Sequence, residues 1–436
     1  MADIQFYSEM RPTRVAWLGS IPASWQMRRL KYLFTIKKDI AGELGHTVLS
    51  VTQKGIRPKV MTDKGQFSQD YSKYQLVHEG DFVMNHMDLL TGWVDIAGQD
   101  GVTSPDYRVF TDKDPEQFLP EYYKYIFQLC YSARIFYGFG QGVAGFGRWR
   151  LPADSFLNFV LPIPPIGEQR TIAVYLAEKC AEIDSYIAEA QAGIEDAKQW
   201  KAAVIYEAIT KGIDQDIPLK DSGTDWIGLI PANWRLCPIK RLTLKIGSGK
   251  TPSGGAEVYT DEGVLFLRSQ NIYDFGLVLD DVSHISDEID AEMKNTRVQY
   301  KDVLLNITGG SIGRCCLYDL EGIRANVNQH VCILRAKQDE LLPEFLRYFW
   351  NSSIGPVVVG YYQTGGNRQG LNFEQIGRVK IPLCSLETQR RIVEYLDERC
   401  SMLNDVIVEK QEHIRDLEAY KRSLIYEAVT GKRKVV

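Results

Sequence analysis

Two glycine-rich stretches carry side chains suited to recognising a ligand. Residues 138–150 read Gly-Phe-Gly-Gln-Gly-Val-Ala-Gly-Phe-Gly-Arg-Trp-Arg, and residues 363–370 read Gln-Thr-Gly-Gly-Asn-Arg-Gln-Gly. Glycine lets a backbone approach a groove or a phosphate closely. Gln141, Arg148, Arg150, Gln363, Asn367, Arg368 and Gln369 supply paired donors and acceptors of the kind that match base edges. Either stretch alone reads equally well as a surface loop. Two of them at equivalent places favour recognition.

A second signature accompanies them. Asp81-Phe-Val-Met-Asn85 with Gly92 recurs as Asp302-Val-Leu-Leu-Asn306 with Gly313. The aspartates read as turn residues leading into buried strands. Asn85, Asn306 and the polar residues just past them, His86, Ser311 and Arg314 among these, lie where a strand emerges and could reach a ligand.

Signatures of catalysis are missing. Gly247-Ser-Gly-Lys-Thr251 approaches a P-loop, but Leu244 stands where the pattern needs its first glycine. There is no Gly-x-Gly-x-x-Gly after a strand, and no His-x-Glu or Asn-Pro-Pro-Tyr element. The six histidines have no metal-ligand spacing, and the eight cysteines form no Cys-x-x-Cys pair, so reduced, packed thiols are expected and no metal site. The chain reads as a binder.

The elements that position these residues occur twice. Residues 169–210 and 389–430 align without a gap, with 18 of 42 positions identical, including Ile205-Tyr206-Glu207-Ala208 and Ile425-Tyr426-Glu427-Ala428. Trp17-Leu-Gly-Ser-Ile-Pro-Ala-Ser-Trp25 likewise recurs as Trp226-Ile-Gly-Leu-Ile-Pro-Ala-Asn-Trp234. The stretches after each second tryptophan have diverged, which suggests one scaffold presenting two recognition surfaces.

The repeated segments are predicted to be long helices. Leu176, Cys180, Ile183, Ile187, Ala190, Ile194, Ala197, Lys201, Val204 and Ala208 follow alternating four and three spacing, as do Leu396, Cys400, Leu403, Ile407, Lys410, Ile414, Leu417, Lys421, Leu424 and Ala428. The seam is narrow and suits pairing of the two copies, although a helical-bundle core would explain it too. Chain order makes the pair antiparallel, and 42 residues at about 1.5 Å each would span roughly 60 Å. Gly212 and Gly431 are predicted terminators. Gly193 weakens the first helix by roughly 1 kcal/mol and leaves room for a kink. The variable modules are expected to mix short strands (47–51, 82–84, 264–267, 303–305) with helices over 120–132 and 343–352.

Composition bounds the rest. A chain of 436 residues with 44% hydrophobic and 25% charged residues should form two or three globular domains. A net charge of −5 argues against wrapping DNA by bulk electrostatics, leaving local clusters at Arg28-Arg29 with Lys31, Lys37-Lys38, Arg148 with Arg150, Lys240-Arg241 and Lys432-Arg433-Lys434. With no run near the roughly 18 apolar residues of a membrane span and no signal peptide, the expected location is the cytoplasm.

Taken together, the order of variable module, repeated helix, variable module, repeated helix resembles the DNA-specificity subunit of type I restriction-modification enzymes, the HsdS family. The resemblance is carried by Trp-Leu/Ile-Gly-x-Ile-Pro-x-x-Trp before each module, Gly249-Lys-Thr-Pro252, Leu267-Arg-Ser-Gln-Asn-Ile272, Gly80-Asp-Phe-Val and Ser104-Pro-Asp-Tyr107. The helix leads Glu168-Gln169-Arg170 and Glu387-Thr-Gln-Arg390 complete it, the first lacking the intervening residue.

The resemblance implies an α+β chain in which two α/β target-recognition domains are separated by two long antiparallel helices, a coiled-coil spacer with a pseudo-twofold internal repeat. The boundaries expected are 1–155 for the first recognition domain, 156–212 for the first helical region, 213–373 for the second recognition domain and 374–436 for the second helical region. Each recognition domain would read half of a split, asymmetric target in double-stranded DNA. The candidate DNA contacts are then Gln53, Lys54, Arg57, Asn85, His86, Gln141, Arg148 and Arg150 in the first module, with Arg268, Ser269, Gln270, Asn271, Ser311, Arg314, Gln363, Asn367, Arg368 and Gln369 in the second.

Two copies of a methyltransferase subunit would dock on the helical regions, with Gln169, Arg170, Tyr206, Glu207, Gln389, Arg390, Tyr426 and Glu427 as candidate contacts. Separate restriction and translocase subunits would join them. S-adenosylmethionine, ATP and Mg would sit on those partners, with no cofactor in this chain and no catalysis by it. Two other readings stay open: a coiled-coil scaffold carrying two protein-binding or sugar-binding modules, which the sequence pI of 5.8 favours, and a fused DNA methyltransferase or nuclease.

Overall fold

The computed structural model describes residues 5–59, 70–142, 149–214, 216–363 and 370–435. They form two compact units, one made of Met1–Gln191 with Glu412–Val436 and the other of Ala192–Gln411. Each half of the chain contributes a short helix and then a long one: α1 (Pro120–Ser132) and α2 (Ile166–Lys211), then α3 (Pro343–Asn351) and α4 (Leu386–Val429).

The two units repeat one framework. In the first unit a four-stranded antiparallel sheet has the order Phe34–Lys37, Arg108–Asp112, Phe82–Met84, Val94–Ile96. In the second, Thr243–Ser248, Val331–Ala336, Val303–Asn306 and Cys315–Leu317 have the same order. A strand after the second tryptophan of the repeated motif pairs with one just before the long helix in each unit, Gln26–Arg29 with Val160–Ile163 and Arg235–Pro238 with Lys380–Leu383. What differs is the material added to that framework. The first unit carries the hairpin Leu49–Thr52/Gly55–Pro58, whereas the second carries a three-stranded sheet of Ser283–Ile285, Val264–Leu267 and Ala325–Val327.

Burial of the strand faces holds each sheet. Phe34, Phe82, Phe110, Phe127 and Phe156 interlock in the first unit with ring centroids 5.0 to 5.6 Å apart in the direct pairs Phe34–Phe82, Phe34–Phe110, Phe82–Phe110 and Phe110–Phe156, an arrangement that adds ring-quadrupole attraction to area burial. Asp81 and Asp302 are buried turn anchors, as expected: each accepts a backbone N–H three residues earlier, from His78 at 2.9 Å and Gln299 at 2.7 Å. Each is also neutralised from the sheet, Asp81 by Lys37 at 2.6 Å and Asp302 by Nε and Nη2 of Arg335 at 2.8 and 2.7 Å.

The long helices follow the seam read from the sequence. Leu176, Cys180, Ile183, Ala190, Ile194 and Ala197 are buried along α2, and Leu396, Cys400, Leu403, Leu424 and Ala428 along α4. In the second unit Lys410 packs on Gly193 and Lys201 Nζ donates to Asn404 Oδ1 at 2.8 Å, so rising numbers on α2 meet falling numbers on α4 and the pairing is antiparallel. In the first unit Lys421 Nζ bridges both Asp184 oxygens at 2.7 Å. Gly193 brings no break: α2 is continuous, and a Cβ there would lie 3.0 Å from the Lys410 side chain. Gly212 and Gly431 end the helices with φ of 78° and 69°, values an L side chain resists. All eight cysteines are free, and seven are buried.

Candidate nucleic-acid interface

In the first unit the strand Phe82–Met84 leads through Asn85 to His86, which lines a cleft of about 590 Å³. Its wall is completed by Ile36 to Lys38, by Tyr107 and Arg108 at the start of the neighbouring strand, and by Gln141 and Arg150 at the two ends of the glycine-rich stretch. Those two ends are tied by a pair of backbone bonds, Gln141 N to Arg150 O at 2.8 Å and the reverse at 2.9 Å. Among the described residues no carboxylate lines the cleft, while Lys37, Lys38, Arg108 and Arg150 do. Asp81 neutralises Lys37 from behind.

Desolvation tunes this wall. Burial, then the nearby charges of Arg108 and Arg150, push the His86 imidazole down to about 4, so it is neutral at physiological pH. Burial alone brings the Arg108 guanidinium down to about 10, and it stays charged. The result is a concave, cationic surface containing one neutral imidazole and two amides, Gln75 and Gln141, chemistry that suits a polyanion rather than a cation or an apolar ligand.

The remaining first-module candidates fall elsewhere or inside. Gln53 and Lys54 form the exposed two-residue tip of the hairpin Leu49–Thr52/Gly55–Pro58, with Arg57 exposed on its second strand. Gly55 closes that turn with φ of 97°. Asn85 serves the turn, its Oδ1 accepting from Met87 N at 3.2 Å. Arg148 lies outside the described residues.

In the second unit Asn306, fully buried, is the organising residue. Its Nδ2 donates to Ser269 O at 2.8 Å and to Ser311 Oγ at 3.1 Å, drawing two short 3₁₀ turns, Ser269–Asn271 and Gly309–Ser311, to the same place. Beside them the Arg314 guanidinium lies 4.8 Å from the Tyr273 ring centroid, and Gln270 donates to Asp281 at 3.0 Å. Asn271 is corrected from ligand contact to internal cap: it is buried, its Oδ1 accepts from Arg268 N at 3.0 Å and its Nδ2 donates to Val278 O at 2.9 Å. Arg268 lies 5.6 Å over the Tyr259 ring and reaches Asp281 O at 3.4 Å. Gln363 closes a helix, Ile354–Gln363, and Asn367, Arg368 and Gln369 lie outside the described residues. A polar chain that sequence reasoning missed runs through Thr308, His330, Gln329 and Thr251, with Thr308 Oγ1 2.6 Å from His330 Nδ1. Gly249 belongs to it sterically, since a Cβ would sit 1.5 Å from Val327 O; this close approach, not a phosphate cradle, explains the glycine.

The helix-lead candidates also need correction. Gln169 is buried, with Oε1 accepting from Leu119 N at 2.9 Å and Nε2 donating to Gln117 O and Pro164 O, both at 2.9 Å. Gln389 does the same with Leu342 N at 2.8 Å and with Glu340 O and Cys384 O at 3.0 Å. They are internal clips. Tyr206 and Tyr426 clasp the repeated tryptophan motif, donating to Ile227 O at 3.0 Å and Trp17 O at 3.3 Å. Glu427 pairs with Arg433 at 2.9 Å, and Lys432 holds Leu18 O at 2.9 Å, so the C-terminal basic cluster is partly structural. Arg170, Arg390 and Glu207 remain exposed.

Comparison with known proteins agrees with this geometry. The family described as Type I restriction modification DNA specificity domain matches residues 22–185 and 236–414. The chain is 26% identical over 289 residues to the type I restriction enzyme EcoBI specificity subunit of Escherichia coli, a match spanning 65% of this chain and 60% of that protein. It is 22% identical to the putative type I restriction enzyme MjaX specificity subunit of Methanocaldococcus jannaschii, over 99% of both. Its fold is similar to a chain in a solved structure concerned with complex assembly and conformational transition of the type I R-M system, with TM-score 0.65, 15% identity and coverage of 94% of this chain and 98% of that one. Two matched segments, each spanning one framework sheet and one long-helix lead, place the chain in the type I restriction-modification DNA specificity family.

Proposed function

We propose that this chain selects the DNA target of a type I restriction-modification complex, and that its two modules read the two halves of a bipartite, asymmetric sequence. The observation that carries the reading is one framework with two different polar surfaces. The same sheet order supports the exposed hairpin of Gln53, Lys54 and Arg57 and a cationic cleft in the first unit, and the Ser269, Ser311 and Arg314 cluster in the second. Two identical readers would specify a symmetric target; two unlike ones specify an asymmetric one.

The long helices supply the docking surface. Trp200 and Tyr420 occupy the same position of the repeat, one residue before seam lysines 201 and 421, and are 62% and 53% exposed. Large rings held in water at equivalent places suit two copies of one partner, and the partner is a methyltransferase subunit. Restriction and translocase subunits complete the complex. S-adenosylmethionine, ATP and Mg belong to those subunits, and this chain contributes recognition rather than catalysis. Among the described residues no helix is long and apolar enough to cross a membrane, and a DNA-reading role puts the protein in the cytoplasm.

Selection of random duplexes by the chain assembled with its methyltransferase tests the reading. Two short constrained blocks, different from each other and separated by a fixed number of unconstrained base pairs, are expected. A single block, or two identical inverted blocks, contradicts it.

A further inference from the structure

The first module's cleft holds a charge that its fold does not require. Arg108 is only 5% exposed. Its Nη2 donates to Leu151 O at 3.0 Å and its guanidinium lies 4.7 Å from the Phe156 ring centroid. Its Nη1 is buried without a hydrogen-bond partner among the described residues, and so is His86 Nδ1 in the same wall. No ion pair to Arg108 occurs among the described residues. A buried cation with an orphan donor and no carboxylate is costly.

The second module shows that the sheet closes without it. Counting from the equivalent Asp81 and Asp302, Arg108 pairs with Met84 as Cys332 pairs with Leu305, and Cys332 is a fully buried thiol. An arginine in that register position answers to something other than packing.

We infer that Arg108, with Lys38 and Arg150 at the same cleft, is a phosphate anchor that seats one phosphodiester of the DNA backbone in the first module, at a position where the second module carries Cys332. This rests on the DNA-reading function above and adds which groups position the duplex. Shape decides for phosphate over base. Phosphates are the outermost atoms of a duplex and enter a concave cleft, whereas base edges lie within a groove and are met by projecting elements. In this module the exposed element is the hairpin tip of Gln53 and Lys54.

The test uses the full chain assembled with its methyltransferase and a duplex bearing the motif that the complex methylates. Arg108→Met should weaken binding and make the plot of log affinity against log salt shallower by about 0.9, the value for one phosphate contact. The methylated motif should stay unchanged, and the melting temperature should not fall. Arg108→Lys should retain the slope. Neutral methylphosphonate placed at each backbone position in turn should weaken the wild type at one site flanking the first half-site, and Arg108→Met should be insensitive there. Inorganic phosphate should compete no better than chloride of equal ionic strength.

An unchanged salt slope overturns the proposal, as does a lowered melting temperature with unchanged binding, which marks a structural role. A changed base in the first half-site makes Arg108 a base reader, and specific competition by inorganic phosphate makes the cleft a free-anion site; either outcome also overturns it. A wild-type complex without any sequence preference contradicts the DNA-reading function itself.

Discussion

Gln169 Oε1 accepts the Leu119 backbone N–H at 2.9 Å, so the residue capping α1 is held by a side chain from the first turn of α2. Leu119 offers no capping side chain of its own, and Pro120 follows it at the first helical position. The link joins a module helix to a long helix through buried polar groups, and the Gln389 bond to Leu342 repeats it. Replacing either glutamine with alanine orphans one N–H and two carbonyls. Gln169→Ala and Gln389→Ala should each lower stability by about 1–3 kcal/mol. Denaturant unfolding measures the loss, and faster amide exchange at Leu119 or Leu342 locates it; unchanged exchange there would contradict the clip.

Division of labour between modules predicts separable defects. Lys54→Ala with Arg57→Ala, on the exposed hairpin, should relax the first half-site, and Gln270→Ala with Arg314→Ala the second, each lost base contact costing about 1–3 kcal/mol. Binding to duplexes mutated in one half at a time separates the two. Equal weakening of both halves by either pair would make these residues general backbone contacts.

His86 predicts a pH signature. Its folded-state pKa of about 4 lies below the ordinary 6.5, so at intermediate pH the unfolded chain binds a proton that the folded chain refuses. The neutral imidazole's contribution is therefore full above about pH 6.5 and is lost as pH falls toward about 4. His86→Gln should flatten this part of the stability profile. Melting temperatures of the two proteins across that window should converge toward low pH; parallel profiles would show that the imidazole titrates normally.

Docking through repeated positions predicts stoichiometry. Trp200→Ser should remove one methyltransferase copy, Tyr420→Ser the other, and the double variant both, because each ring is exposed on its own unit. Sedimentation mass distinguishes two bound copies from one. Retention of both copies by the double variant would place the docking surface elsewhere.

Much of this was legible in the sequence because local rules and burial agree. Pro120 at a helix start, the Asp81 turn before an apolar triplet, the seam from Leu176 to Ala208 and the terminators Gly212 and Gly431 each follow from neighbours a few residues away. The misreadings involve partners far along the chain. Gln169 looked partner-facing because it is polar and repeated, but it is buried by a helix start some fifty residues earlier. Asn271 looked like a reader of bases and is an internal cap for Arg268. Arg108 carried no signal at all: one arginine in a strand resembles any surface charge, and only Leu151 and Phe156 reveal its burial.

If the paired helices set the distance between half-sites, inserting four residues into both near Ala190 and Lys410 should lengthen each by about 6 Å while nearly preserving the seam, since four residues is close to one turn. At about 3.4 Å per base pair that adds roughly one or two unread base pairs. Methylation of the original spacing by an active variant would show that the helices pair the modules without measuring.

The most direct test of the central claim is the map of methylated bases in a genome exposed to this chain and its methyltransferase, before and after residues 213–373 are exchanged for those of another specificity subunit. Two unlike readers on one framework predict a single bipartite motif in which one half changes and the other half and the spacing persist. Loss of both halves together, or a motif indifferent to the exchange, would contradict it.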